Sequence, residues 1–408
     1  MSSEKFIKNN LALVTLIAAS LVVFLSLSVR QVFGMFFMDF NIDLGITNTE
    51  FGLAIGIQML GWGLSGPVFG AIADKYGGHK AISLAFIFYI LGVYFLYSGP
   101  NTGIYFQICL GVLVGIGCGG TAISIPMSVV GKHFPLSNRT IAMSIVTAVG
   151  SFGYFLSPLF TNYSLDSNGW EDTLFIFTIF LCIGFVVAFF VRSPKIQETA
   201  QTENGQSTLS ALKEAFQNKS YNLLTLGFFV CGFHVTFVAV HLPAFIEDEK
   251  LPFWVGGWAL ALIGLFNVVG TIYFGYLGDR LSKKNLLALL YSLRGLLFLI
   301  FIFLPKTELT VLVFSCILGI LWLSTVPLTS GIITVVFGPY YMSMLYGIAF
   351  FSHQVGSFLG SWLGGRLFDT YASYDLMWWI CVALGFLAAF MHMPIKEQAV
   401  DRLAVQKI

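Results

Sequence analysis

A short segment rich in glycine and charge occurs twice in this chain. Residues 70–80 read GAIADKYGGHK, and residues 275–284 read GYLGDRLSKK. Asp74 of the first copy and Asp279 of the second are each preceded by a glycine four residues earlier and followed directly by a basic residue. Each copy stands at the end of a long apolar run. A loop repeated at equivalent positions indicates that the chain consists of two related halves.

The composition is that of an integral membrane protein. Hydrophobic residues make up 57% of the 408 residues and charged residues 10%, with a mean hydropathy of +0.84, whereas a soluble domain has about 25% charged residues. Runs long enough to cross a bilayer as helices lie at residues 11–38, 50–73, 81–98, 104–130, 139–161, 173–191, 221–246, 254–277, 285–304, 309–335, 343–365 and 376–394. We therefore predict an all-α membrane protein with twelve transmembrane helices in two pseudo-symmetric six-helix bundles.

One long polar stretch separates the two halves. Residues 192–219 begin with a Gln-, Thr-, Glu- and Ser-rich segment that is typical of a flexible linker. The segment STLSALKEAF that follows predicts a short amphipathic helix on the cytoplasmic membrane surface. We therefore expect an N-terminal six-helix half at 1–191, a cytoplasmic linker at 192–219, and a C-terminal six-helix half with a cytoplasmic tail at 220–408.

The basic residues predict the orientation. If the N-terminus is cytoplasmic, most of the 21 Lys and Arg residues lie on the cytoplasmic side, and the external loops contain only Lys250, Lys306 and Arg366. This asymmetry is the one that the positive-inside rule describes. The first apolar run is too long for the core of a cleaved signal peptide. We expect a multi-pass protein of a plasma membrane of the bacterial inner-membrane type, with both termini in the cytoplasm.

The repeated loop resembles the signature that the major facilitator superfamily has between its second and third helices. The second copy resembles the equivalent loop of the second half, and the twelve helices with a central cytoplasmic linker match that family over essentially the whole chain. The resemblance implies a carrier and not an enzyme, in which the two halves rock around a site near the bilayer midplane. A nucleotide-binding P-loop, which pumping by ATP hydrolysis would need, does not occur in the sequence.

We interpret the two loops as conformational latches. Glycine permits tight turns and close approach of helices. An aspartate at a helix end can pair with a basic residue or cap the next helix. The alternative is an ordinary charged loop. The predicted latch residues are Gly70, Asp74, Lys75, Gly77, Gly275, Asp279 and Arg280.

Arg30 is the one formal charge between Leu11 and Met38, and no acidic residue occurs in the interior of any apolar run. Because an ionisable group inside a membrane is costly, it indicates a functional site. The guanidinium group suits bidentate recognition of a carboxylate. We therefore predict that an anionic substrate pairs with Arg30, the alternative being an arginine that extends to the outer interface. For the second intramembrane arginine, Arg294, we expect a structural or interfacial role.

The sequence around Arg30, SVRQVFGMFFMD at residues 28–39, resembles the first helix of the monocarboxylate transporter and oxalate/formate exchanger branch of the same family. The resemblance implies a small organic anion as substrate, a monocarboxylate, bound by Arg30 with its neighbour Gln31. The cation that this branch has in its eighth helix is missing. Asn267 is the strong polar group there and a further candidate substrate-binding residue. The fifth helix matches the pattern of drug exporters poorly.

Two further polar clusters supply candidate substrate-binding residues. His234 and His241 are seven residues apart and therefore share one face of the seventh helix. Since histidine titrates near physiological pH, both are also candidates for proton coupling. His353 and Gln354 lie near the middle of the eleventh helix and are expected to line the cavity. For each of them the alternative is a structural hydrogen-bonded group.

The remaining features exclude several classes of function. The six cysteines lie in apolar runs without the spacing of a disulfide framework or a metal site, so we expect no metal and no cofactor. The net charge of +1 gives no indication of nucleic-acid binding. We predict a monomeric secondary transporter of a small organic anion with proton symport. The alternatives are an anion exchanger, a drug or metabolite efflux carrier, and a non-transporting sensor with a transporter fold.

Overall fold

The twelve predicted helices are present in the computed structural model of the chain. It describes residues 3–100, 103–134, 136–193, 208–338 and 341–400. Ten helical stretches within these ranges are long and apolar enough to cross a bilayer. One of the ten contains two of the predicted spans, and the helix Met342–Tyr371 adds another. The predicted all-helical membrane fold is therefore confirmed.

The N-terminal half contains helices α1 to α6. Helix α1 (Ser3–Gln31) continues through a 3₁₀ turn (Phe33–Phe36) into a short helix (Phe37–Leu44). Helices α2 (Asn48–Tyr76) and α3 (Gly78–Ser98) follow. Helix α4 runs from Gly103 to His133, with a π-helical segment at Gln107–Leu113 and a break after Thr121. Helices α5 (136–168) and α6 (170–188) form one continuous stretch, Leu136–Ala188, that bends at Gly169, where φ is +79°.

The C-terminal half repeats this arrangement. It contains α7 (Lys219–Asp248), α8 (Trp254–Gly278), α9 (Lys283–Phe303), α10 (Glu308–Leu321 and Thr325–Phe337), α11 (Met342–Tyr371) and α12 (Asp375–His392). The fourth helix of each half, α4 or α10, is thus broken at a comparable depth. The breaks leave backbone groups that must find partners outside their own helix.

A short surface helix precedes α7, as the sequence predicted. It covers Thr208–Gln217. Ala211 and Ala215, one turn apart, are buried, whereas Leu209 and Phe216 are exposed. The Gln- and Thr-rich start of the linker, at 194–207, lies outside the described residues. The boundaries 1–191, 192–219 and 220–408 remain a prediction.

The two halves meet mainly through α2 against α11 and α5 against α8. Near the start of α2, the backbones of α2 and α11 come so close that a methyl group at Gly52 would collide with the carbonyl oxygen of Ser361. At the other end of the same helices, Gly70 of α2 and Gly347 of α11 face open space. The halves therefore pack closely on the side of Asn48, and this close contact does not extend to Gly70 and Gly347 on the side of the two repeated loops.

Candidate functional site

Arg30 lies in the last turn of α1, with only 8% of its surface exposed. One terminal nitrogen lies 3.4 Å from the side-chain oxygen of Gln31, and the other lies 3.1 Å from the sulfur of Met59. The guanidinium carbon is 5.5 Å from the ring centre of Trp62. The first contact is long, and a thioether is a weak acceptor. The Nε–H group is buried without a hydrogen-bond partner.

No carboxylate completes a salt bridge with Arg30 among the described residues, where Lys132 with Asp74 is the one ion pair. Positive charge buried without an anionic partner is unfavourable. The guanidinium group of Arg30 is therefore under-coordinated and has donors available for an incoming anion.

Arg30 borders a small cavity between the two halves. The cavity volume is about 10 Å³, which is room for about one water molecule. Ala239 and Val240 of α7 form its far wall. Gly34, in the turn after α1, makes this contact possible, because a Cβ there would lie 2.6 Å from the carbonyl oxygen of Ala239. The other lining residues are Arg30, Gln31, Phe33, Ile55 and Gln58. In this state the halves have closed around the guanidinium group.

The polar cluster of α11 approaches the same place from the other half. The side-chain nitrogen of Gln354 donates to the carbonyl oxygen of Met59 at 3.2 Å. His353 Nδ1 lies 3.1 Å from the side-chain oxygen of Gln354, and its ring stacks on Phe350. Phe350 in turn packs edge-on against Trp62. Arg30, Gln31, His353 and Gln354 are thus brought together around Met59 and Trp62.

The other predicted substrate-binding residues make their hydrogen bonds elsewhere. His234 Nε2 lies 3.0 Å from the carbonyl oxygen of Cys381, inside the C-terminal half. His241 Nε2 lies 2.7 Å from the carbonyl oxygen of Ser361, on the closed side of the interface. The side-chain oxygen of Asn267 accepts from the backbone N–H of Leu323, where α10 is broken. These contacts fit structural roles for His234 and Asn267, and they place His241 beside the part of α11 that packs against α2.

Arg294 has a different environment from Arg30. It is 1% exposed, and its Nε–H donates to the carbonyl oxygen of Leu321 at 3.0 Å. Its Nη2 also donates to the carbonyl oxygens of Leu321 and Trp322, and Nη1 lies 3.4 Å from the sulfur of Cys231. The guanidinium group thus satisfies the carbonyl groups that the break in α10 leaves free. This geometry fits a structural role and not an extension to the membrane surface.

The two predicted latch loops are held by different contacts. In the first loop, Lys132 Nζ lies 2.7 Å from Asp74 Oδ1 and connects α4 to α2, and Gly77 makes the turn with φ at +99°. In the second loop, Asp279 is the C-cap residue of α8, and the guanidinium carbon of Arg280 lies 4.1 Å from the ring centre of Tyr276.

The close helix approach expected at the latch glycines is absent in this state, because a Cβ at Gly70 or Gly275 would meet nothing within 4 Å. At the first loop, Lys75 Nζ lies over the ring of Tyr76, 5.1 Å from its centre. The two loops thus lie at the end of the interface opposite Asn48.

Three residues of the site and its surroundings did not stand out in the sequence. Met59 and Trp62 are three residues apart on α2 and so share the face that meets Arg30. Glu397 Oε1 accepts from the backbone N–H of Lys284 at 2.7 Å and fastens the second loop to the C-terminal tail. The first two belong to a run, GIQMLGWG at 56–63, whose glycines and polar residues are a usable signal. Nothing local marks Glu397.

The sequence model of the Major Facilitator Superfamily matches residues 19–361. The chain belongs to this family. Its members are transporters, so the chain is a membrane carrier and not an enzyme.

Individual relatives are distant. An uncharacterized transporter of this family, YcxA of Bacillus subtilis (strain 168), is 24% identical over 90% of this chain and 90% of its own length. Human monocarboxylate transporter 12 is 24% identical over 70% of this chain, which spans only 63% of that protein. Among solved structures, an inward-facing, unoccupied bacterial homologue of the human lysosomal transporter Spinster superposes with a TM-score of 0.74 at 16% identity, covering 96% of this chain and 99% of that one. This superposition supports the fold alone.

Proposed function

We propose that the protein is a secondary active transporter of a small organic anion, specifically a monocarboxylate, that works by alternating access. The observation that carries this proposal is the coordination of Arg30. Its guanidinium group is buried at the interface of the two halves, has an unpartnered Nε–H, and contacts only an amide oxygen, a sulfur and an indole ring. A carboxylate bound in two-pronged fashion would satisfy those donors.

The number of available charges favours a monocarboxylate over a dicarboxylate. Arg294, the other arginine buried within the described helices, has its donors engaged by the carbonyl groups of Leu321 and Trp322 and by the sulfur of Cys231. The cavity beside Arg30 has two amide side chains in its lining, Gln31 and Gln58, and its other lining residues are apolar or glycine. This set suits one carboxylate on an apolar body. The similarity to monocarboxylate transporter 12 supports the same substrate class.

We assign proton symport as the coupling mode and His241 as the better of the two histidine candidates. His241 Nδ1 lies 3.3 Å from the Tyr374 hydroxyl, which also lies 3.2 Å from the side-chain oxygen of Asn48 in the other half. Protonation of His241 can therefore respond to the movement of the halves. His234 packs against Cys381 and Phe298 within its own half. Anion exchange is the second candidate, since one free guanidinium group is all that it requires.

The proposed setting follows the basic residues. We place the protein as a monomer in a bacterial-type plasma membrane, with both termini and the two latch loops in the cytoplasm. In this orientation the close packing at Asn48 faces the outside, and we propose that the carrier opens toward the cytoplasm.

Uptake into proteoliposomes tests the proposal. Radiolabelled propionate, benzoate, succinate and glucose are compared with and without an inward proton gradient. We expect uptake of the monocarboxylates, enhanced by the gradient, and little uptake of succinate or glucose. Uptake of succinate or glucose equal to that of benzoate would overturn the substrate class.

A matched histidine pair tests the coupling in the same vesicles. His241→Gln should abolish gradient-driven accumulation and preserve counterflow of unlabelled against labelled substrate, whereas His234→Gln should preserve both. If accumulation persists in His241→Gln, the proton does not travel through this histidine. If the wild type takes up substrate only against an internal anion and ignores the gradient, exchange replaces symport.

A further inference from the structure

The end of α11 contacts the beginning of α2 across the interface of the two halves. Asp369 Oδ2 accepts a hydrogen bond from the backbone N–H of Thr49 at 2.7 Å and another from its hydroxyl at 2.5 Å. Thr49 is in the first turn of α2, where backbone N–H groups lack partners within the helix. The positive end of the helix dipole favours a carboxylate there. Asp369 therefore acts as a capping group supplied by the opposite half.

A second layer of contacts lies beneath this one. The hydroxyl of Tyr374, just before α12, lies 3.2 Å from the side-chain oxygen of Asn48. The hydroxyl of Ser361 on α11 donates to the carbonyl oxygen of Gly52 at 2.7 Å. At Gly365 a side chain would collide with the backbone of Asn48. The two layers together close the interface for about two turns of α11, from Ser361 to Asp369.

The native capping group of α2 leaves room for this second carboxylate. Glu50 forms a capping box with Thr47, in which Glu50 Oε2 accepts from the backbone N–H of Thr47 at 3.0 Å. The carboxylate of Glu50 is thus bonded to Thr47 and not to Thr49. The donors of Thr49 depend on the position of α11, and separation of the halves on this side would return them to water.

We infer that Asp369 is a positioning residue for transport, whose bonds to Thr49 hold the two halves together on the side of Asn48. The residue is not among those that line the cavity beside Arg30, and it acts through the equilibrium between the two orientations. Loss of the carboxylate shifts the carrier toward the state that is open on this side. The inference rests on the alternating access proposed above but is independent of the substrate.

Accessibility of a reporter cysteine tests the inference. Ala239 on α7 is 3% exposed and borders the cavity beside Arg30. Ala239→Cys is reconstituted in sealed vesicles, a membrane-impermeant maleimide is applied from one face at a time, and labelling of the reporter peptide is followed by mass spectrometry. With Asp369→Asn, the rate of labelling from the Asn48 side should rise about tenfold, the factor expected for one charge-assisted hydrogen bond.

Asp375→Asn is the matched control, because Asp375 is a nearby carboxylate in the first turn of α12 whose own backbone N–H bonds only to Ser373. It should leave the labelling rate unchanged, and Asp369→Glu should restore part of the wild-type protection. Equal rates for Asp369→Asn and Asp375→Asn, in variants with wild-type thermal stability, would overturn the inference. If Asp369→Asn is labelled faster but the protein takes up no carboxylate, the role of Asp369 stands and the proposed substrate class is wrong.

Discussion

Arg30 and Arg294 are both buried guanidinium groups in apolar helices, but their hydrogen-bond partners differ. Arg294 donates to two backbone carbonyl groups at the break of α10. Arg30 has a long contact to Gln31, a sulfur contact to Met59, and an Nε–H without a partner. The comparison shows that an intramembrane charge by itself does not identify a binding site. Whether its N–H groups already have hydrogen-bond acceptors distinguishes a structural cation from one that is available to a ligand.

The duplicated architecture explains the position of Arg294. At the offset that relates the two latch loops, Ser26 and Tyr89 of the first half correspond to Cys231 and Arg294 of the second. The hydroxyl of Tyr89 donates to the carbonyl oxygen of Ser26 at 3.0 Å, and Arg294 Nη1 lies 3.4 Å from Cys231 Sγ. Each pair joins the first and third helices of its half. Arg294 is therefore the charged version of a structural junction that the first half makes with a tyrosine.

The largest expected effect is on stability, at Arg294. Arg294→Met keeps an unbranched apolar stem but leaves the carbonyl groups of Leu321 and Trp322 without their donor. Since buried unsatisfied groups cost about 1–3 kcal/mol each, the free energy of unfolding should fall by about 4 kcal/mol. Denaturant unfolding of the purified protein in detergent measures this. A stability equal to wild type would show that the carbonyl groups find other partners and that the contrast with Arg30 is not real.

The next effect is on binding, at Arg30. Arg30→Gln removes the charge and should weaken carboxylate binding by about 3 kcal/mol, roughly a hundredfold in Kd, with stability unchanged or higher. Arg30→Lys should recover only part of the affinity, because an ammonium group cannot bind in two-pronged fashion. Calorimetric titration with benzoate gives the affinity and thermal unfolding gives the stability of the same samples. Lost stability with intact affinity would make Arg30 a second structural cation.

The sequence was sufficient for most of the fold. Apolar runs of spanning length and the repeated loop predicted twelve helices in two halves, because bilayer thickness and backbone hydrogen bonding leave few alternatives. The sequence was less informative about which buried N–H groups find hydrogen-bond acceptors. A structural or interfacial role for Arg294 could be expected from the sequence, but the acceptors of its N–H groups, at the break between Leu321 and Thr325, could not.

Part of the candidate site could likewise not be predicted from local sequence patterns. Seven-residue spacing correctly placed His234 and His241 on one helix, but the residues that they contact lie on other helices, at Cys381 and Ser361. The contact of Asp369 with Thr49 joins residues that are distant in the sequence. A single sequence has no periodicity that relates such pairs, so they become visible only when α2 and α11 are packed together.

A smaller effect is expected at the tyrosine that corresponds to Arg294. Tyr89→Phe removes the hydrogen bond to the carbonyl oxygen of Ser26 and leaves the ring in place. Because Ser26 retains its 2.6 Å hydroxyl contact with Thr121, the loss of stability should be about 1 kcal/mol, the typical net value of one neutral hydrogen bond. Denaturant unfolding compares it directly with Arg294→Met. A loss as large as that of Arg294→Met would mean that the two junctions depend equally on their third helices.

The smallest expected effect on stability is at the first latch loop. Asp74 pairs with Lys132, but the Asp74 side chain is 70% exposed, and an exposed ion pair contributes little, less than about 1 kcal/mol. Asp74→Asn should therefore leave unfolding almost unchanged. We expect it to slow transport, because the loop lies on the side that we propose to be open, and its contacts must change when the halves close there.

Glu397→Gln is the control for the prediction on Asp74→Asn. Glu397 fastens the second loop through the backbone N–H of Lys284 and the hydroxyl of Ser282. Because Glu397 belongs to the C-terminal tail and not to the repeated loop, its replacement should slow transport less than Asp74→Asn does, with benzoate affinity unchanged in both. Initial uptake rates and Kd values of the two variants decide the matter. A loss of affinity in Asp74→Asn as large as its loss of rate would assign Asp74 to substrate binding and end the latch interpretation, because no residue at this rim should reach a ligand held at Arg30.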